Sequence, residues 1–329
     1  RAQPAPASTP AAALDAAQAR AQPAPVPAPT AARDAAKREG EGDAAEREGE
    51  GGAAEREGEG GAFARDADAV AGALARLGEE GEQLVAYVGK LIVSKGVDLL
   101  LAAWPLVLAR VPRARLAIVG FGAYRVGLES LCAALAAGDL AGARELALAG
   151  RAIEDASSAR RPLAHLLAFL DALEGDERER YLAAARALSE RVVFCGRLEH
   201  DELAELLPAC DALVVPSTFP EAFGMVAAEA AACGALPVSA AHSGLAEVSA
   251  ALAQAVPAPA ARWLSFALGE DAVLALAGNV AGWLLAERAL RERTRGALVA
   301  TVRRRWSWEG VAQTVIAAAH GELDALPSP

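Results

Sequence analysis

The chain has 329 residues and a formal net charge of −11, with 32 Lys and Arg against 43 Asp and Glu. A protein that coats nucleic-acid phosphates would be basic, so this composition excludes that class. The longest run without charged residues or histidine, 272–286, has fifteen residues, fewer than the roughly 20 that a spanning helix needs. No transmembrane segment is predicted, and peripheral contact with a membrane stays open.

Residues 1–61 differ in composition from the rest of the chain. Their only aliphatic side chains larger than alanine are Leu14 and Val26. Such a region cannot bury enough apolar surface to offset the entropy of ordering it. It begins as an Ala/Pro tract and ends in three near-identical nonapeptides built on Arg-Glu-Gly-Glu-Gly. We predict a disordered, solvated linker, with a charged interaction tail as the alternative.

Residues 62–329 are expected to form one large domain, since they hold every aromatic residue of the chain. Residues 1–36 sum to +1 and residues 37–61 to −5, which leaves −7 on this domain. The four cysteines form no CxxC pair and lie in apolar contexts, so we predict reduced core thiols and a cytoplasmic protein.

Short apolar runs alternate with helical patterns along this domain. The runs predict buried strands at 83–88, 115–119, 192–195, 212–215 and 236–239. Helices are predicted at 97–110, 125–137, 201–207, 223–233 and 245–252. This order predicts an α/β fold with a doubly wound, Rossmann-like parallel sheet. Residues 138–190 are longer than a crossover requires and predict a helical insertion.

Ligands bind such sheets beyond the carboxyl ends of the strands, so the loops after the strands are the candidate site. The first loop, Gly89–Gly96, carries Lys90 and Lys95 just before a helix. Two cations beside a helix N-terminus suit a diphosphate. The loop lacks the Walker spacing, which argues against nucleoside triphosphate hydrolysis. No acidic residue follows Gly120 and Gly122 at the distance that a nicotinamide site needs, which argues against such a site.

The fourth loop carries two glutamates, Glu221 in the loop and Glu229 about two turns into the predicted helix. Between them, the amides at 223–226 open that helix and suit an anion. Carboxylates on either side of bound phosphate would suit hydroxyls of a sugar and a ribose. The alternative is a capping loop in which Glu229 is an ordinary exposed helix residue.

Six motifs in order resemble the C-terminal half of family 4 glycosyltransferases, which have the GT-B fold. The resemblance spans about 83–319, apart from the insertion. The motifs are Gly89–Gly96 with Val97-Asp98-Leu99-Leu100, Ala117-Ile118-Val119-Gly120, Val193-Phe194-Cys195-Gly196 leading to Glu202-Leu203, Glu221-x7-Glu229 with Ala232-Cys233-Gly234, Ser243–Val248, and Trp306-Ser307-Trp308.

The resemblance implies roles for individual residues. Lys90, which is usually Arg in the family, and Lys95 would neutralise the diphosphate, and Glu221 would bind hydroxyls of the donor sugar. The remaining implied donor contacts are the Phe223, Gly224 and Met225 amides on the distal phosphate, Glu229 on the ribose, Gly89 beside the diphosphate, and Gly196, Arg197 and Leu198 along the base.

The implied reaction is retaining transfer of a sugar from a nucleotide donor to an acceptor hydroxyl, without a metal or other cofactor. The acceptor is not identified by the sequence. The family's acceptor-binding domain has no counterpart in these residues, so we expect the donor half, with an acceptor domain upstream or lost by rearrangement. Two other interpretations stay open: a non-catalytic nucleotide-sugar-binding or scaffold module, and a sugar-nucleotide epimerase.

The four histidines are weighed separately. His165 and His320 lie far from the loops and are expected to be structural. His200 is expected to cap a helix. His242, just after the fifth strand, is kept as a candidate for the site.

Overall fold

The computed structural model describes residues 65–155 and 157–322. The disorder predicted for residues 1–61 falls outside these described residues. The described part is an α/β fold whose parallel sheet has apolar clusters on both faces. The predicted fold class is therefore confirmed.

Six parallel strands form the sheet in the order β3-β2-β1-β4-β5-β6. Their bounds are β1 Gln83–Val88, β2 Ala114–Val119, β3 Val192–Gly196, β4 Ala212–Val215, β5 Leu236–Ala240 and β6 Ser265–Phe266. The first five were predicted. The edge strand β6 was missed because two residues are too few to form a recognisable apolar run.

Helices connect the strands. Before β3 they are α1 Ala67–Leu74, α2 Val97–Arg110, α3 Arg125–Ala137, α4 Leu140–Ala149, α5 Ala164–Ala172, α6 Gly175–Ala185 and α7 Leu188–Arg191. After β3 they are α8 His200–Ala209, α9 Met225–Ala232, α10 Ser243–Ala253, α11 Ala258–Ala261, α12 Ala272–Leu284, α13 Arg288–Arg305 and α14 Trp308–Ala319.

The strands are continuously apolar because both faces of the sheet are covered. Along β1, Val85 and Tyr87 belong to the larger apolar cluster on one face, and Leu84 and Ala86 to the smaller one on the other. Alternate residues of a strand point to opposite faces, so a run without polar residues is what a covered sheet requires.

The region at 138–190, predicted to be helical, contains α4, α5, α6 and the start of α7. It is fastened to α2 by the buried Tyr181, whose hydroxyl donates to the Ala102 carbonyl at 3.0 Å. The Tyr181 ring also meets Phe169 edge-on, with centroids 5.3 Å apart. These contacts fix the insertion against the sheet's first crossover helix.

No described helix is by itself long and apolar enough to cross a bilayer. One pair, Ala272–Leu284 with Arg288–Ala319, satisfies the length and composition criteria only when taken together, across a bend of 106°.

The chain reverses its winding direction between β1 and β4, which are neighbours in the sheet. Such a switch point opens a crevice at the carboxyl ends of the strands. Here the loops after β1 and β4 touch: the Thr218 amide donates to the Ser94 carbonyl at 2.9 Å. Gly96, with φ +65°, permits this approach, because a Cβ there would lie 2.1 Å from the Pro216 carbonyl oxygen.

Candidate functional site

An ion pair joins the two loops at the switch point. Lys95 ends the short 3-10 turn Val93–Lys95, and its Nζ contacts Oε1 of Glu221 in the loop after β4. The Ser217 hydroxyl donates to the same carboxylate oxygen at 2.6 Å. The Lys95 side chain is 30% exposed and that of Glu221 is 22% exposed, so a ligand in the crevice has access to both charges.

The environment keeps Glu221 ionised. Burial raises the pKa of this carboxyl, but hydrogen bonds from Lys95 and Ser217, with the charge of Lys95, outweigh burial and leave the pKa below its ordinary value. An ionised carboxylate only accepts hydrogen bonds. Glu221 is therefore suited to hold hydroxyl or amine groups.

A hydrogen-bond chain through His242 fixes the backbone beside Glu221. The Glu221 amide donates to the Ser243 hydroxyl at 2.9 Å, which lies 3.0 Å from His242 Nδ1. His242 Nε2 lies 2.7 Å from the Ser217 carbonyl oxygen, which can only accept. Nε2 therefore carries a hydrogen and donates it to that carbonyl, and Nδ1 shares a hydrogen bond with the Ser243 hydroxyl. His242, a candidate from the sequence, serves here to position the loop.

The helix carrying Glu229 begins at Met225, two residues later than predicted. Gly224 is its N-cap and is left-handed, with φ +92°, so Phe223 lies outside the helix. Glu229 is then the fifth helical residue, little more than one turn in, and the predicted two turns are wrong. In the described part of the chain, the amides at 223–226 donate to no acceptor, so they remain open to an anion.

Glu229 faces a second feature, a cavity of about 640 Å³ that it lines together with Phe223 and Met225. Trp306 closes one side of this cavity and meets the Phe223 ring edge-on, with centroids 5.5 Å apart. Glu229 is exposed, and its carboxylate forms no hydrogen bond or ion pair with the described side chains. A carboxylate beside aromatic surface suits a ligand that has both a flat ring and hydroxyls.

Lys90 lies apart from the ion pair. It is exposed, and within the described residues its ammonium contacts neither Lys95 nor Glu221. Its carbonyl accepts from the Tyr87 hydroxyl at 2.8 Å, which anchors the start of the loop. The structure therefore brings Lys95 and Glu221 together and leaves Lys90 outside this ion pair.

The predicted residues after β3 lie at the same sheet edge. The Gly89 amide donates to Val119 at 3.0 Å, and the Gly120 amide to Gly196 at 2.8 Å, so the ends of β1, β2 and β3 lie side by side. The Arg197 guanidinium carbon is 5.9 Å from the centre of the Phe121 ring. Leu198 is buried and so supports the turn rather than offering a surface to a ligand.

The helix expected to be capped by His200 is instead capped by Glu199. The Glu199 side chain accepts from the third residue of α8, and the Glu202 side chain accepts from the Glu199 amide at 2.8 Å. His200 is simply the first helical residue. The reciprocal capping box explains the correction, because two carboxylates satisfy orphan amides better than one imidazole.

Sequence reasoning missed three polar groups near the site. Ser217 and Ser243, which hold Glu221 and its amide, were passed over within longer loop motifs. Asp98 is buried in α2, and burial raises its pKa from 3.8 to about 7. The available signal was its position, since Asp98 is the only charged residue in the otherwise apolar run 97–109.

Part of the chain matches a known protein family. Residues 153–275 match the family described as "Glycosyl transferases group 1". This segment is a little over a third of the chain, and it includes Glu221, Glu229 and the turn at 196–198 but neither Lys90 nor Lys95. No match was found among curated protein sequences.

Solved structures resemble the chain at low identity. Sucrose-phosphate synthase from Thermosynechococcus elongatus is 25% identical, over 80% of this chain and 51% of its own, with a TM-score of 0.46. HepE of Anabaena in complex with UDP and glucose is 19% identical, over 80% of this chain and 53% of its own, with a TM-score of 0.45. The chain thus spans about half the length of these two proteins.

Proposed function

We propose that the chain is the donor-binding half of a GT-B glycosyltransferase that moves a sugar from a nucleotide donor to an acceptor hydroxyl with retention of configuration. The observation that carries this proposal is the pairing of Lys95 with Glu221 at the switch point, next to the open amides that begin α9. A cation, a carboxylate and a helix N-terminus together match a sugar joined to a phosphate.

Each group then has one task. Lys95, with Lys90 swinging in from its exposed position and Gly89 beside it, would offset charge on the diphosphate. The Phe223, Gly224 and Met225 amides would hold the distal phosphate, and Glu221 would accept from the sugar hydroxyls.

The nucleoside end would lie toward Glu229. This carboxylate would accept from the ribose hydroxyls, and the Gly196–Leu198 turn would border the base. Arg197 is the exposed member of that turn, so it is the residue expected to meet the base.

Catalysis would come from stabilising the departing diphosphate. Negative charge grows on it as the sugar bond breaks, and fixed cations and amides favour that state over the bound donor. We propose that no metal or cofactor takes part, because Lys90, Lys95 and the amides of α9 already supply the positive groups.

The proposal extends to parts of the enzyme beyond these contacts. The family resemblance implies a second domain, which would face the same edge and complete the acceptor site. A cytoplasmic location fits the free thiols of the four cysteines, three of which are buried. The competing interpretation, a non-catalytic nucleotide-sugar-binding module, would use the same loops for binding alone.

Calorimetric titration of this chain with UDP, GDP and ADP tests the proposal. The diphosphate and ribose contacts all come from these residues, so at least one nucleotide should bind at millimolar concentration or below. Absence of binding by all three would overturn it. Binding by the complete protein without sugar transfer or donor hydrolysis would favour the non-catalytic module.

A further inference from the structure

A cavity of about 580 Å³ lies between the switch-point loops and the helical insertion. Ser94, Thr218 and Phe219 line it from the loops after β1 and β4, and Arg161 and His165 line it from the insertion. Its volume is within the range of small-molecule sites, roughly 300–1,000 Å³. The cavity belongs to a part of the chain that the proposed donor contacts leave unused.

The cavity contains a buried acceptor without a donor. Asp98, the second residue of α2, lines it and is only 3% exposed. Its Oδ1 is buried and has no hydrogen-bond partner among the described residues. Leaving such an oxygen unsatisfied is costly, and a hydroxyl of a bound ligand would satisfy it.

The carboxylates on the insertion side already have partners. Glu154 accepts from the Val93 amide, and Asp155 accepts from the hydroxyls of Ser157 and Ser158 at 2.7 and 3.0 Å. These two acids therefore hold the local backbone and loop in place.

Arg161, Arg151 and His165 line the cavity from the insertion and differ in how far they are engaged. Arg161 is exposed, and its guanidinium has no partner in the described part of the chain. The Arg151 side chain is 60% exposed and forms a long ion pair with Glu154, with Nε 3.9 Å from Oε2. His165 Nδ1 lies 3.0 Å from the Gly269 carbonyl oxygen and must donate to it, which leaves Nε2 for another partner.

We propose that this cavity binds a monosaccharide carrying one phosphate or carboxylate group. Asp98 accepts a hydrogen bond from a sugar hydroxyl, and Arg161, assisted by Arg151, binds the anionic group. Since Ser94 and Thr218 belong to the same loops as Lys95 and Glu221, the sugar lies beside the donor site. Its use as the acceptor rests on the proposed function, whereas binding itself does not.

Equilibrium binding to this chain tests the site with glucose 6-phosphate, fructose 6-phosphate, mannose 6-phosphate and glucuronate as probes. Glucose and inorganic phosphate are the partial ligands. At least one charged sugar should bind at millimolar concentration, more tightly than either partial ligand. Comparing the sugar phosphates with glucuronate shows whether the site prefers a phosphate or a carboxylate. If none of the charged sugars binds, the proposal is overturned.

Two variants locate the binding. Arg161→Gln and Asp98→Ala should each weaken binding of the charged sugar by about tenfold or more, because each substitution removes one hydrogen-bond partner of the ligand. Arg186→Gln is the matched control, since Arg186 is an exposed arginine of the insertion that does not line the cavity. If all three variants bind the charged sugar as tightly as the parent, or all three lose the same affinity, the proposed site is wrong.

Titration with UDP, GDP and ADP on the same proteins separates this inference from the donor site. Both variants should keep the parent's nucleotide affinity, because neither residue is among the proposed donor contacts. Charged-sugar binding without any nucleotide binding would remove the proposed function and leave the cavity site intact. Nucleotide binding without charged-sugar binding would overturn the cavity site and leave the proposed function intact.

Discussion

Lys95 and Glu221 hold each other before any donor arrives. A half-buried pair of this kind keeps both side chains in fixed positions and lets them exchange partners at small cost, since each remains partly hydrated. A diphosphate would then replace one carboxylate contact of Lys95 with phosphate contacts. Glu221 in turn would accept hydrogen bonds from hydroxyls of the donor sugar.

Lys95→Ala should weaken binding of the nucleoside diphosphate by about 1.5–3 kcal/mol, because a hydrogen bond to a charged group is lost. Calorimetry measures this loss directly. The corresponding nucleoside, which has no phosphate, should bind the variant and the parent alike. Equal losses for both ligands would mean that Lys95 acts through folding.

Asp98 makes stability depend on pH. Its pKa is about 7 in the folded chain against an ordinary value of 3.8, so between these values the folded state holds a proton that the unfolded state has released. Stability contributed by this group therefore falls as pH rises through that window.

Asp98→Asn should accordingly raise the melting temperature at about pH 8 and change it little at about pH 4, because asparagine is neutral throughout. Thermal unfolding by circular dichroism at both pH values checks this. Asp176→Asn is the matched control, since Asp176 is an exposed acid in the first turn of α6. A less stable Asp98→Asn at the higher pH would show that the helix terminus stabilises the charge.

At the scale of elements, the site depends on how closely the loops after β1 and β4 approach. Gly96 lies at that approach in a left-handed conformation, with the Pro216 carbonyl against it. Its lack of a Cβ is what lets Ser94 accept from Thr218 and places Lys95 beside Glu221.

Gly96→Ala should destabilise the fold by at least about 2 kcal/mol, from left-handed strain together with the clash. It should also weaken nucleotide binding, since the loops are pushed apart. Gly296→Ala is the control: Gly296 lies inside α13 with open space around it, so alanine should stabilise by roughly 0.5–1 kcal/mol. Chemical denaturation measures both, and equal stability of the two variants would contradict this account of the loops.

Much of this element layout was predictable. Helices α2 and α3 match the predicted 97–110 and 125–137 because glycines at 96 and 138 bound the apolar pattern, and both are left-handed. The start of α9 was misplaced because the chain turns left-handed at Gly224, where a Cβ would lie 2.6 Å from Leu245 Cδ2. Local pattern cannot show such a contact.

The site was predictable only as a set of loops. Sequence order places the loops after the strands at one edge, but Lys95 and Glu221 are 126 positions apart and nothing local pairs them. The same holds for the contacts of His242 with Ser217 and for the unsatisfied Asp98 oxygen. These depend on side-chain positions that only the packed structure fixes.

At the scale of the whole molecule, a net charge of −11 opposes the approach of an anionic donor. Binding must therefore come from local groups, and the sheet order supplies them along one edge. The loop after β1 brings Lys95, the loop after β4 brings Glu221, and α9 brings its open amides and Glu229. The central claim is that these groups divide the donor between them, sugar at one end and ribose at the other.

Titration of the parent, Glu221→Ala and Glu229→Ala with the best-bound of UDP, GDP and ADP, then with its glucose conjugate, tests that division most directly. Glu229→Ala should weaken binding of both ligands about tenfold or more, because both contain the ribose whose hydroxyls Glu229 is proposed to bind. Glu221→Ala should keep the nucleoside diphosphate's affinity and lose only the contribution of the sugar. Glu177→Ala, an exposed helical control, should change neither. If both variants lose nucleoside diphosphate binding alike, or neither loses any while circular dichroism shows an intact fold, the assignment is contradicted.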